Sequence, residues 1–224
     1  MSERSTKCRT TKVREKLVKE NEVVAIFHSR LLAGQKIDSD AGPEITDQYF
    51  AFKVTSREYP KKTSVLYCGT HTAADFFRKT GQKSIPFFDP LKSTHSNASS
   101  DGDSTGGKKK IHWNPLALEL HNICGLILCA WGANAIKKSP DGPLQRIIYE
   151  IMERPLYEPS LSQIKSINTT LGADKDKRDM HEIVAYLRSN NPTLKNYTFE
   201  LIHNFLKEHG IRSNIKKEKE NGPR

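Results

Sequence analysis

The sequence predicts an α+β protein, in which a small antiparallel sheet with flanking helices precedes a helical C-terminal half. Two observations lead to this class: strand-like alternation in the first 92 residues, and helical spacing of apolar residues after residue 110. The polar segment 93–107 separates them. We therefore expect a basic tail (1–20), an α+β segment (21–92), a flexible linker (93–110), a helical bundle (111–210) and a second basic tail (211–224).

The α+β segment opens with a predicted helix followed by a hairpin. Five apolar residues between Lys12 and Ala33 recur at helical spacing, with Gly34 placed to end the helix. Residues 49–56 alternate apolar and polar side chains, as a half-buried strand does. Residues 63–68 form a second predicted strand, and the short polar break between the two favours antiparallel pairing.

A glycine turn follows the hairpin. Residues 73–80 are predicted to form a helix that Thr72 caps and Gly81 ends. Residues 85–89 are predicted to add a short strand, which the flanking prolines would keep at a sheet edge.

Five amphipathic helices are predicted in the C-terminal half. The first covers 116–136, the second starts at Pro143, Ser160 and Asp179 cap the next two, and the fifth runs from Leu194 to Gly210.

Composition places the chain among intracellular proteins without a membrane span. The apolar run 123–136 is shorter than the roughly 20 residues that cross a bilayer. The charged N-terminus lacks the apolar stretch of a secretory signal, so we expect a cytoplasmic location and free thiols at the four cysteines.

The net charge is concentrated at the ends of the chain. The 224 residues include 36 Lys and Arg against 26 Asp and Glu, and seven basic with three acidic residues lie in positions 1–20. Basic ends of this kind bind phosphate backbones by releasing counterions, although solvated tails have the same composition. The predicted nucleic-acid contacts are Lys12, Arg14, Lys195, Lys207, Lys216 and Lys217. Lys195 and Lys207 would belong to a helix-turn-helix, for which an ordinary helical hairpin is the alternative.

The turn after the second strand is a candidate anion site. Gly69, Thr70, His71 and Thr72 combine amides at a helix start with two hydroxyls and an imidazole. A capped turn without a ligand would need the same residues.

Two Cys and His pairs are a candidate zinc site. Cys68 and His71 stand three residues apart, as do His121 and Cys124. Thiolate and neutral imidazole are ligands of tetrahedral zinc, whereas Cys124 in its apolar run also suits a buried structural thiol.

Residues 66–78 resemble parts of two enzyme families. Tyr67-Cys68-Gly69-Thr70, followed by Arg78, resembles the second half of the GIY-YIG nuclease motif. That resemblance implies phosphodiester cleavage with a divalent metal such as Mg²⁺, with Tyr67 and Arg78 as catalytic residues and Glu119 as the acidic one. Leu66 to Thr70 also resembles the NAD-binding strand of some ADP-ribosyltransferases, in which a histidine stands at the position of Cys68.

These observations predict an intracellular protein that contacts DNA or RNA mainly through phosphates. The alternatives are a metal-dependent nuclease, an NAD-dependent ADP-ribosyltransferase-like enzyme and a protein-interaction module.

Overall fold

The computed structural model describes residues 7–91, 112–132, 135–136 and 140–216. The predicted linker and Lys217 lie outside these residues. In chain order the helices and strands are α1 (Thr11–Glu20), β1 (Asn21–Arg30), β2 (Gln48–Ser56), β3 (Thr63–Cys68), α2 (Thr70–Thr80), α3 (Pro115–Trp131), α4 (Pro143–Glu153), α5 (Leu161–Gly172), α6 (Met180–Asn190) and α7 (Glu200–Glu208). The predicted α+β class is confirmed.

The strands form one antiparallel sheet in the order β1-β2-β3. The predicted hairpin of β2 and β3 is confirmed, with Phe52 opposite Leu66. Because successive side chains of a strand point to opposite faces, Tyr49 and Tyr67 lie on one face and Phe52 and Cys68 on the other. Both faces are buried.

The predicted helix from Lys12 to Ala33 is wrong beyond its first turns. The helix ends at Glu20, and residues 21–30 form β1. Apolar residues on β1 pack on both faces of the sheet: Val23 and Ala25 on one, Ile26 and Phe27 on the other, across an irregularity in the register. A run that is apolar on both faces suits a covered strand as well as a helix, so spacing alone could not separate them.

Helices α1 and α2 cover the face of the sheet that carries Phe52. Phe76 of α2 packs on Phe52, with ring centroids 5.0 Å apart. The helix begins at Thr70 after Gly69, where no side chain caps it, so the predicted cap at Thr72 is wrong. Gly81 ends the helix in the left-handed conformation, as predicted.

The C-terminal helices cover the other face around α3. α3 is buried over most of its length and contacts α4, α5, α6 and α7, while α4 also packs on β1. A Cβ at Gly125 would lie 2.6 Å from the ring of Phe88, so glycine lets that buried ring rest directly on α3. The resulting core is continuous from Tyr49 and Tyr67 of the sheet to Leu206 of α7.

Capping residues in the sequence predicted the starts of two C-terminal helices correctly. The capping boxes Ser160–Gln163 and Asp179–Glu182 are both present. The fifth helix begins at Glu200 rather than Leu194, because Leu194 bridges Leu91 and the amide of Lys195 donates to Pro90. The predicted strand at 85–89 is a single bridge between Phe88 and Ser29.

In the described part of the chain, the helices are too short or too polar to span a bilayer.

Candidate functional site

The glycine turn before α2 is open to solvent. Thr70 and His71 are exposed, Gly69 and Thr72 are half-buried, and a Cβ built at Gly69 would meet no atom within 4 Å. The turn is therefore open to a ligand on the side of Gly69, and the predicted anion site remains a prediction.

Arg14 is a structural residue in the interior of the N-terminal part. Its Nε donates to Asp75, and its Nη1 donates to the carbonyls of Cys8 at 3.0 Å and Arg9 at 2.9 Å. Burial alone would raise the pKa of Asp75, but hydrogen bonds from Arg14 and Arg78 hold that pKa below its ordinary value. The sequence analysis predicted that Arg14 contacts a phosphate. Because its guanidinium is buried and bonded to Asp75 and to two carbonyls, Arg14 is not available for that contact.

The three residues of the nuclease hypothesis do not share a cleft. Tyr67 is 1% exposed and points into the core shared with the C-terminal helices, with its ring 5.8 Å from that of Tyr49. Arg78 is on α2, across the sheet, and is largely exposed. Glu119 is buried on α3 and accepts a hydrogen bond of 2.7 Å from the amide of Ile202. Burial raises the pKa of Glu119, and hydrogen bonds from the amides of α7 oppose that increase. Its carboxylate therefore helps to satisfy the start of α7.

The predicted zinc ligands lie in different places. Cys68 is buried beneath α2, His71 is exposed, and Cys124 is buried in the core around α3. Burial raises the pKa of both thiols, which disfavours the thiolate that binds zinc. Over the described ranges, three or more His, Cys, Asp or Glu never come together in an arrangement suited to a metal ion.

The other predicted lysines are spread over the surface. Lys195 is half-buried, and its Nζ donates to the carbonyl of Asp89. Lys207 is exposed, and Lys216 forms an ion pair of 3.0 Å with Glu200. These three do not form one surface with Lys12, which is exposed on α1.

The structure instead places Lys12 in a stripe with two lysines that the sequence prediction did not name. Lys12, Lys16 and Lys19 are all exposed and are spaced four and three residues apart, so they share the side of α1 opposite Arg14. We call these three residues the lysine stripe. It extends about 10 Å along the helix. The spacing was visible in the sequence, but the side of the helix that faces solvent was not.

Two of the acidic side chains near the lysine stripe are paired with basic residues outside it, and a third, Glu20, pairs with Lys16 of the stripe itself. Glu15 forms an ion pair of 2.9 Å with Lys79, Glu20 lies 3.8 Å from Lys16, and Asp75 is paired with Arg14. Residues 7–20 hold six basic and two acidic side chains, and residues 70–83 hold three and one. More than half of the chain's net charge of +10 therefore resides on α1, α2 and their flanks.

Comparison with known proteins identifies a family. The sequence model of the family described as Uncharacterised conserved protein UCP028583 matches residues 6–213, and the chain belongs to this family. No curated protein and no solved structure matches the chain.

Proposed function

We propose that this protein binds nucleic acid through its phosphates, with the lysine stripe of α1 as the main contact. The observation that carries the proposal is the exposure of Lys12, Lys16 and Lys19 along one side of a helix on which Glu15 is paired with Lys79 and the exposed pair of Glu20 with Lys16, at 3.8 Å, is a weak one. Three ammonium groups over about 10 Å can follow consecutive phosphates of a strand. Their charge attracts a polyanion without reading its sequence.

The test is the salt dependence of binding to DNA and RNA oligonucleotides, single-stranded and duplex. We expect the triple variant Lys12→Glu, Lys16→Glu, Lys19→Glu to bind more weakly and to reduce the slope of log K against log salt by about 3, because about 0.9 of slope is lost for each phosphate contact with a duplex.

The matched control changes the net charge equally at exposed lysines away from α1: Lys61→Glu, Lys165→Glu and Lys175→Glu. This control should retain most of the slope. Equal losses in both triple variants would show that net charge, and not the lysine stripe, governs binding. Absence of salt-dependent binding by the unaltered protein would overturn the proposal.

A further inference from the structure

A cavity with aromatic walls lies where the N-terminal half of α3 meets the segments around Phe88 and Lys195. It has a volume of about 340 Å³, which is within the range of roughly 300 to 1,000 Å³ typical of small-molecule sites. Its lining includes Phe87, Trp113, His121, Asn122, Lys195 and Tyr197. We call it the Trp113 cavity.

Two polar groups of α3 border this cavity without a hydrogen-bond partner among the described residues. His121 is 5% exposed, with its ring 5.1 Å from that of Trp113 and 5.8 Å from that of Phe88. Within the ranges that the structure covers, neither its imidazole nor the amide of Asn122 forms a hydrogen bond. The nitrogens of His121 are not among the buried side-chain atoms that lack a partner, so both this imidazole and the half-buried amide of Asn122 can form hydrogen bonds with a molecule in the cavity.

The protonation state of His121 limits what that ligand can be. Burial lowers the pKa of His121 to about 4, so the ring is neutral near pH 7 and has one donor and one acceptor. The amide of Asn122 likewise has both. A partner for these two side chains should therefore combine donors and acceptors along one edge.

The charges around the cavity disfavour a cationic ligand. The carboxylate of Asp89 accepts from Arg30 at 2.9 Å and from the amide of Leu91 at 3.0 Å. Lys195 is also in the lining, so the described residues around the cavity offer no uncompensated negative charge to an ammonium group. A purely aliphatic ligand would leave His121 and Asn122 unsatisfied.

We propose that the Trp113 cavity binds a nucleobase, with its faces against the aromatic walls and its polar edge on His121 and Asn122. Aromatic side chains stack on every type of base, and side-chain amides recognise base edges. Lys195 at the cavity wall donates one hydrogen bond to the carbonyl of Asp89, and the other two donors of its ammonium group suit a phosphate attached to the base. The base comes either from a free nucleotide or from an unpaired strand. The inference does not depend on the lysine stripe, since a mononucleotide suffices to occupy the cavity.

The direct test is to titrate the protein with AMP, GMP, CMP and UMP. Calorimetry and tryptophan fluorescence would measure the binding. The Trp131→Phe variant leaves Trp113 as the single tryptophan, and stacking should quench its emission in a saturable way. We expect Asn122→Ala and His121→Phe each to weaken binding by about tenfold, as loss of a good polar or stacking contact does. Phenylalanine keeps the packing of the imidazole but removes both nitrogens, and Asn122 is only half-buried, so its variant should fold.

The control Asn204→Ala changes an exposed asparagine of α7 and should leave nucleotide affinity unchanged. Competition by single-stranded oligonucleotides but not by duplexes would identify an unpaired strand as the source of the base, and binding of mononucleotides alone would identify free nucleotides.

The proposal is overturned if no nucleotide binds at millimolar concentration, if ribose 5-phosphate competes equally, or if Asn122→Ala and His121→Phe both bind like the unaltered protein. Loss of salt-dependent binding in the lysine-stripe variant, with nucleotide binding retained, would separate this site from the proposed phosphate contacts.

Discussion

Arg14 shows how one buried ion pair can change the interpretation of a basic residue. Its guanidinium joins the start of the chain to α2 through Asp75 and two backbone carbonyls. Neighbouring Lys12 faces solvent. Two basic residues of one helix turn therefore have different roles, one in stability and one in the proposed binding.

Arg14→Met should lower the free energy of unfolding by about 3 kcal/mol, because it leaves Asp75 buried with fewer partners and removes a donor from two backbone carbonyls. Urea denaturation would measure this loss. Lys12→Met is the control, and it should change stability by less than about 0.5 kcal/mol while reducing the salt dependence of binding. An Arg14→Met protein as stable as the original would contradict this role, and Arg14→Lys can be measured if the methionine variant does not fold.

His121 should make stability depend on pH. Burial lowers its pKa to about 4, whereas the unfolded chain titrates near 6.5. Between these values the unfolded state binds more protons, so the free energy of unfolding should decrease as the pH falls from 6.5 to 4, by about 3 kcal/mol at most. Asp75, whose pKa is lowered, loses its stabilising effect only below the ordinary range of a carboxyl group.

Denaturant titrations at pH 7 and pH 4.5 test this dependence. The His121→Phe variant should lose most of it, and the remaining part would come from His28, whose pKa burial also lowers. An unchanged pH profile in the variant would show that His121 is not held neutral by the fold.

Within α3, Gly125 determines where the segment containing Phe88 rests on the helix. Gly125→Ala would place a methyl group 2.6 Å from the ring of Phe88. Because that ring is buried, we expect a loss of about 1–3 kcal/mol in stability. Thermal or urea unfolding measures the loss.

A double-mutant cycle makes the test specific to this contact. Phe88→Leu should remove part of the clash, so the two substitutions together should cost less than their sum. The control Gly69→Ala places its methyl group in open space and should be close to neutral. Additive losses at Gly125 and Phe88 would contradict direct contact.

Elements with local signals were predicted from the sequence, and elements decided by distant contacts were not. The capping boxes at Ser160 and Asp179 and the alternation of β2 depend on neighbouring residues. The strand character of β1 depends on layers above and below it, and the late start of α7 depends on Pro90 and Leu91.

The same distinction applies to the candidate sites. Tyr67 and Cys68 are adjacent on a strand, so their side chains point to opposite faces of the sheet. Alternation alone therefore predicts that the two side chains cannot belong to the same site. The position of His121 at a cavity wall, without a hydrogen-bond partner in the described part of the chain, could not be inferred in this way. It depends on Trp113, Phe88 and Tyr197, which come from three separate segments of the chain.

The continuous core predicts that the N-terminal and C-terminal parts unfold together. Tyr49 and Tyr67 of the sheet share one cluster with the residues of α3 to α7. We expect fluorescence of Trp113 and Trp131, both in the C-terminal part, and exchange of β2 amides to report the same free energy of unfolding. A fragment of residues 1–91 should not fold alone, because it would expose the inner face of the sheet. Separate transitions for the two probes would contradict a shared core.

All four cysteines are buried, with Cys129 the most exposed at 6%. Maleimide dyes should therefore not react with the native protein at neutral pH. In the Lys16→Cys variant, the introduced cysteine should be the one that reacts. A dye at that position would report contact with an oligonucleotide without prior removal of the natural thiols.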